Sequence, residues 1–238
     1  MPASRSFAIV LHLVKTAFQA GQPHPKQEDS VAKSVNPHIF REYDVRGLVD
    51  EDLDIETVEL LGKGYGVYMK SFGYTEAIVG RDNRPSSEPF RDALVSGIIS
   101  TGCDVIDVGE LPTPAFYFSL QEYGKQAGVM ITGSHNPPQY NGFKLYRGHG
   151  TIYGEEIQKL RGIIEDGVFP KGEGNVTSAD PIPAYVEYIA GNIKVERPLK
   201  VVVDAGNGVG GKVAPGLLRQ LGCEVVELYC DLDGNFPN

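Results

Sequence analysis

Short apolar runs that stop at glycine, each followed by a stretch with helical spacing, recur along this chain and limit it to few architectures. Residues 76–80 read as a strand whose exit carries Arg81, Asp82 and Arg84. Ser86 or Ser87 can cap a helix running to about residue 100, with Phe90, Leu94, Ile98 and Ile99 near one face. Residues 103–108 read as the next strand, and Pro114 opens a helix through about Tyr123. Residues 129–131 form a buried strand, and 155–165 a helix with Ile157, Leu160, Ile163 and Ile164 inward. No element is assigned between Gly47 and Glu76. Repeated strand-then-helix units with Gly-rich exits predict an α/β layered domain.

The polar, Gly/Ser-rich stretch 171–180 predicts a domain boundary. Beyond it, a helix at 183–192, a strand at 200–203, a helix to about Leu221 and a strand at 224–228 make a second α/β unit. These are too few elements for a sheet covered on both faces. The expected organisation is an N-terminal extension over 1–36, a first domain over 37–178, and a partial second domain over 180–238.

The segment 128–146 carries the densest chemistry. Val129, Met130 and Ile131 end at Thr132 and Gly133, and Ser134, His135 and Asn136 precede two prolines. A serine on a tight turn at a strand's end projects its hydroxyl into the crevice on which the sheet opens. Backbone N–H groups there can stabilise an anion without any basic side chain. Lys144 follows ten residues on and could neutralise charge developing on a transferred group. Adjacent residues rarely face each other, so the Ser134–His135 order argues against a hydrolase dyad; His135 reads as a phosphate or substrate contact. The plain alternative is a surface turn with an incidental Ser-His pair. Arg46 could likewise be in a salt bridge with Glu42 or Asp44. Arg81, Asp82 and Arg84 read as a charge network supporting the loops.

Composition narrows the functions available. With 41% apolar and 22% charged residues the chain is globular rather than disordered. A net charge of −9 argues against nucleic-acid binding, which usually needs a basic face. Three cysteines without C-x-x-C spacing read as structural thiols in a reducing, cytoplasmic compartment, with Cys103 and Cys223 buried. The apolar run 7–14 is interrupted by His12, ends at Lys15 and is too short to span a bilayer, so neither export nor a membrane is expected.

T-G-S-H-N-P at 132–137 followed by N-G-F-K at 141–144 resembles the active-site loop of the α-D-phosphohexomutases. The resemblance extends through F-R-E-Y-D-V-R-G (40–47), V-G-R-D-N-R-P-S-S (79–87), V-V-V-D-A-G-N-G-V-G-G (201–211) and D-G-N-F-P-N (233–238). It is strongest to the bacterial phosphomannomutase/phosphoglucomutase branch. It implies an αβα mixed-sheet first domain and interconversion of hexose 1- and 6-phosphates through a bisphosphate. Ser134 would be carried as phosphoserine, with Arg46 and Lys144 around the transferring phosphoryl group and Tyr43 and His135 in the site. Mg²⁺ would be held by one phosphoserine oxygen on Ser134 and by three aspartates, with glucose or mannose 1,6-bisphosphate as activator. The aspartate loop, the sugar-recognition loop and the phosphate clamp of the family's later parts have no match here. The chain is therefore expected to be a fragment, inactive alone, and its oligomeric state is left open.

Two other readings stand beside this one. The chain could be an inert fragment or scaffold. Residues 206–211 also satisfy G-x-G-x-x-G between a strand and a helix, with Glu224 and Glu227 about where a dinucleotide-binding fold places its ribose-binding acid. Asp204 before those glycines would repel a pyrophosphate.

Overall fold

The computed structural model describes residues 35–238. The extension 1–34, with the apolar run at 7–14, lies outside the described residues. A seven-stranded mixed sheet is built from β1 (Val45–Leu48), β2 (Glu76–Arg81), β3 (Asp104–Glu110), β4 (Ala127–Ile131), β5 (Tyr140–Arg147), β6 (Gly150–Thr151) and β7 (Val176–Ser178). Its order is β1-β5-β4-β2-β3-β7, with β6 paired to β5. β2, β3, β4 and β7 run parallel; β5 is antiparallel to both β1 and β4.

Side chains alternate across this sheet and seed two cores. Val79, Val129, Ile131, Phe143 and Leu145 point into one core with α1 (Ile55–Lys70), α2 (Ser87–Ser100) and α4 (Glu155–Asp166). Ile78, Met130 and Tyr146 point to the opposite face, where α3 (Thr113–Glu122) supplies Phe116 and Leu120. This is the expected αβα layering. The sixth helix is α6 (Ala214–Gln220), which lies beside a two-stranded parallel sheet of β8 (Lys200–Asp204) and β9 (Glu224–Leu228).

Several elements differ from the sequence expectation. α1 fills the stretch left unassigned; Asp54 caps it by accepting the Thr57 N–H at 2.8 Å. Its Gly62, Gly64 and Gly66 are close-approach points, since added Cβ atoms would overlap Leu94 of α2, Ile164 of α4 and Thr101. Ser86 is the N-cap residue of α2, as expected, but its side chain makes no capping hydrogen bond. The Ser86 and Ser87 hydroxyls instead accept from the buried Asn141 amide, at 2.8 and 3.0 Å. The polar stretch after α4 supplies β7, an exposed edge strand paired with β3. The expected helix of the second unit, α5 (Ile182–Asn192), rests on α3: Phe118 lies 5.5 Å from the rings of both Tyr185 and Tyr188. Cys103 and Cys223 are buried thiols.

Candidate active site

β2 and β4 are parallel neighbours, so their C-terminal exits open side by side, Arg81 opposite Ile131. One exit carries Asp82 and Arg84, the other Ser134. The second exit is also a hairpin, because the chain turns back at Tyr140 into β5. Within the turn, Thr132 Oγ1 accepts the Ser134 N–H at 2.9 Å, and Gly133 O accepts the Asn136 N–H at 3.1 Å. Ser134 sits at φ 57°, in the left-handed region. That conformation costs a non-glycine about 1 kcal/mol and persists only where the surroundings impose it. Its side chain is exposed.

Arg84 holds the loop from behind. Its side chain is 1% exposed and its Nε meets Asp82 Oδ2 at 3.1 Å. Nη1 donates to the carbonyls of Pro137 (2.7 Å) and Tyr140 (3.0 Å). Nη2 donates to those of Ser134 (3.1 Å) and Asn136 (2.7 Å). Arginine's five N–H donors are thereby all engaged. A Cβ on Gly133 would overlap the guanidinium, so only glycine fits there. Asp82 completes the brace, accepting from the Arg84 and Gly133 backbone N–H groups and from the Ser87 hydroxyl. Arg81 points elsewhere, pairing with Glu110 at 3.3 Å.

Arg46 and Lys144 approach from the β1/β5 side. Arg46 Nη1 donates to Asn136 Oδ1 at 2.8 Å, while Nη2 pairs with Asp44. Lys144 Nζ stands 3.8 Å from the same Asp44 carboxylate. The ion pair expected as the plain alternative for Arg46 is therefore present, and the same guanidinium also reaches the serine loop. Tyr43 is exposed with its ring 6.4 Å from Tyr153; no hydrogen bond joins it to Ser134, Arg46 or Lys144 among the described residues. His135 departs from the expectation for adjacent residues. Its Nδ1 lies 3.3 Å from Ser134 Oγ, on a turn whose left-handed residue brings the neighbouring side chains together. No carboxylate among the described residues hydrogen-bonds that imidazole, so the pair lacks the orienting third group of a hydrolase triad.

A cleft of about 400 Å³ opens between this loop and the turn after β8, lined by Ser134, His135, Pro138, Gly206, Gly208 and Phe236 among others. Asn83 Nδ2 donates to Asn207 O at 2.9 Å, and the Arg84 guanidinium lies 5.1 Å from the Phe236 ring centre.

Two family models match this chain. "Phosphoglucomutase/phosphomannomutase, alpha/beta/alpha domain I" covers residues 37–171, and the corresponding domain II covers 183–238. The chain belongs to the phosphoglucomutase/phosphomannomutase family. A phosphomannomutase/phosphoglucomutase of Pseudomonas aeruginosa is 44% identical over 207 residues, 87% of this chain and 45% of that protein. A phosphoglucomutase of Neisseria meningitidis is also 44% identical over 207 residues, 86% of this chain and 45% of its own length. A crystal structure of a family protein from Burkholderia thailandensis superposes with a TM-score of 0.82 at 43% identity, covering 86% of this chain and 46% of that one. The chain thus spans a little under half the length of these relatives.

Against this family background the first three N–H groups of the Gly-rich turn at 206–211 are already engaged by the fold. The Gly206 N–H goes to Asp204 Oδ1 at 3.0 Å, that of Asn207 to Tyr229 O and that of Gly208 to Ala205 O. Glu224 and Glu227 pair with Lys200 and Arg219. Burial and the neighbouring Glu227 charge push the Cys230 thiol up. A metal is no better served. Among the described residues no group of three or more His, Cys, Asp or Glu side chains could hold an ion. Asp44 and Asp82 are already engaged by cations, so these residues alone do not build a magnesium site. Among the described residues, no helix is long and apolar enough to cross a membrane.

Sequence reasoning placed Arg84 in a supporting network but missed that one guanidinium gathers four carbonyls of the serine loop. The signal was G-x-D-x-R at a strand exit parallel to the serine strand, legible only once the strand order is known.

Proposed function

We propose that this chain carries the phosphoryl-accepting centre of a phosphohexomutase acting on hexose phosphates, and that Ser134 is the group phosphorylated. The observation that carries the reading is the pairing of an exposed, left-handed Ser134 hydroxyl with a fully engaged buried arginine behind it. Such strain at an exposed nucleophile marks a site prepared for chemistry. In the forward step Ser134 Oγ attacks phosphorus of a hexose bisphosphate. The new Oγ–P bond forms as the bond from phosphorus to the sugar oxygen breaks, and the hydroxyl proton ends on that sugar oxygen. His135 Nδ1, 3.3 Å from Oγ, is placed to relay the proton. Arg46 and Lys144, both held on Asp44, supply positive charge for the phosphoryl oxygens. Tyr43 is assigned to the substrate side, as an exposed ring near Tyr153.

In the full cycle, proposed for the whole enzyme, phosphoserine 134 first donates its phosphoryl group to the free hydroxyl of a hexose monophosphate, and the bisphosphate so formed reorients and returns its other phosphoryl group to Ser134 by the step above. Phosphoryl uptake is proposed for these residues, and steady-state mutase turnover by this chain alone is expected to be negligible. Magnesium, if it serves the reaction, would draw further ligands from outside the described residues. The test is intact-mass and phosphosite mapping after incubation with glucose 1,6-bisphosphate in magnesium buffer. One phosphate on Ser134, lost in Ser134→Ala, is the expected result. No phosphate on the folded wild-type chain would overturn the reading.

A further inference from the structure

We propose that Arg84 is the positioning residue of the serine loop, and that Phe236 locks it there, so that the second unit sets the orientation of Ser134. The proposal rests on the reading of Ser134 as phosphoryl acceptor.

Arg84 lies 50 residues before Ser134 and touches no reacting atom; it acts through the backbone. Four carbonyls of one short loop converge on its two terminal nitrogens, and the Asp82 carboxylate takes Nε. A lysine offers three donors from a single point and cannot reproduce a planar fork that serves four carbonyls at once. The Asn136–Pro137 and Pro137–Pro138 peptides, whose carbonyls Arg84 takes, carry no N–H because proline closes each. The Ser134–His135 peptide is trans, so fixing the Ser134 carbonyl on Arg84 turns the His135 N–H the opposite way. The arginine thus fixes which side of the loop presents an N–H donor.

The lock comes from the far side of the cleft. Phe236 itself lies at φ 49° and places its ring 5.1 Å from the Arg84 guanidinium. Gly234 leaves no room for a Cβ against Asn83 O, and Asn83 reaches Asn207 O. Asn83 and Arg84 therefore join two strained segments, the serine loop and the turn at 233–236. A shift of one is felt by the other.

The test compares the full chain with Arg84→Lys and Phe236→Leu, by amide hydrogen exchange over 132–141 and by the rate of Ser134 phosphorylation from glucose 1,6-bisphosphate. Arg84→Lys is expected to speed loop exchange and slow phosphorylation, each by about tenfold or more, while exchange in β2 and α2 stays unchanged. Phe236→Leu should do the same to a smaller extent, with about threefold effects. Guanidinium added to Arg84→Ala should restore part of the loop's exchange protection and part of the phosphorylation rate together. Loop exchange equal to wild type in both variants overturns the proposal, as does slowed phosphorylation with an unchanged loop. Should Arg84→Lys unfold, Phe236→Leu alone decides. Should the wild type take no phosphate, the functional reading falls, and loop exchange still decides the positioning claim.

Discussion

Two turns in this molecule meet the same backbone problem and resolve it in opposite ways. Each follows a parallel strand, β4 or β8, and each holds a non-glycine residue in the left-handed region, Ser134 at φ 57° and Asn207 at φ 61°. Asn207 braces itself. Its buried side chain donates to Asp231 O at 2.9 Å and accepts from Asn238 Nδ2 at 3.1 Å. Ser134 is braced by others, chiefly Arg84 and Thr132, and its own hydroxyl stays exposed. A strained residue must be over-determined by its surroundings, and a side chain used for that purpose is unavailable for chemistry. Assigning the restraint to Arg84 leaves the Ser134 hydroxyl exposed.

The comparison breaks most visibly at Asp82. Removing its carboxylate in Asp82→Ala leaves the buried Arg84 charge unpaired, with an expected loss of about 3–5 kcal/mol in denaturant unfolding. A loss below about 1 kcal/mol would mean that the four carbonyls suffice without the ion pair. Next comes Asn207→Gly, which relieves the φ strain but deletes the brace; about 2 kcal/mol of stability, or roughly 6 °C in Tm, should disappear. The matching change, Ser134→Gly, relieves the same strain and deletes no support. Its Tm should stay level or rise, by about 0.5 kcal/mol equivalent, while phosphate uptake is lost. Equal destabilisation by the two glycine variants would erase the distinction between self-braced and externally braced turns.

The smallest effect lies at the opposite end of β5, beside Arg147. Hydrogen bonds from Lys159 and then Tyr68 hold the Glu156 carboxyl below its ordinary value of 4.5, against a desolvation cost, with the Lys159 and Arg147 charges adding. A depressed acid stabilises the fold above its unfolded-state pKa, and that contribution vanishes as pH falls through the folded value. Glu156→Gln should therefore flatten the acid limb of the stability profile below about pH 4.5 and leave phosphorylation of Ser134 unchanged. A change in the phosphorylation rate would tie this end of the sheet to the loop.

Much of the sheet was legible because β2 and β4 are apolar runs closed by glycine or by the loop after Ile131, and α4 keeps its isoleucines on one face. α1 was not, because three glycines in sixteen residues look like a loop until the helices they admit are in place. β5 was hidden for a related reason: its Asn141–Gly142 start mimics a turn, yet Asn141 is buried on Ser86 and Ser87, and a Gly142 Cβ would press on Val45 O at 2.7 Å. In the site, Ser134, Arg46 and Lys144 carried recognisable chemistry. The contact between Ser134 and His135 depended on one positive φ, which residue spacing does not encode.

The hairpin of β4 and β5 also bears on how the protein is made. Asp44, Arg46, Asp82, Arg84, Ser134, Asn141 and Lys144 all lie within residues 44–147. Synthesis runs from the N-terminus and domains tend to fold as they emerge, so the immediate setting of Ser134 can assemble while Asn207 and Phe236 are still untranslated. During that interval the newborn chain would display a formed serine loop with its cleft open on one side, and the arrival of residue 236 is the event that ends it.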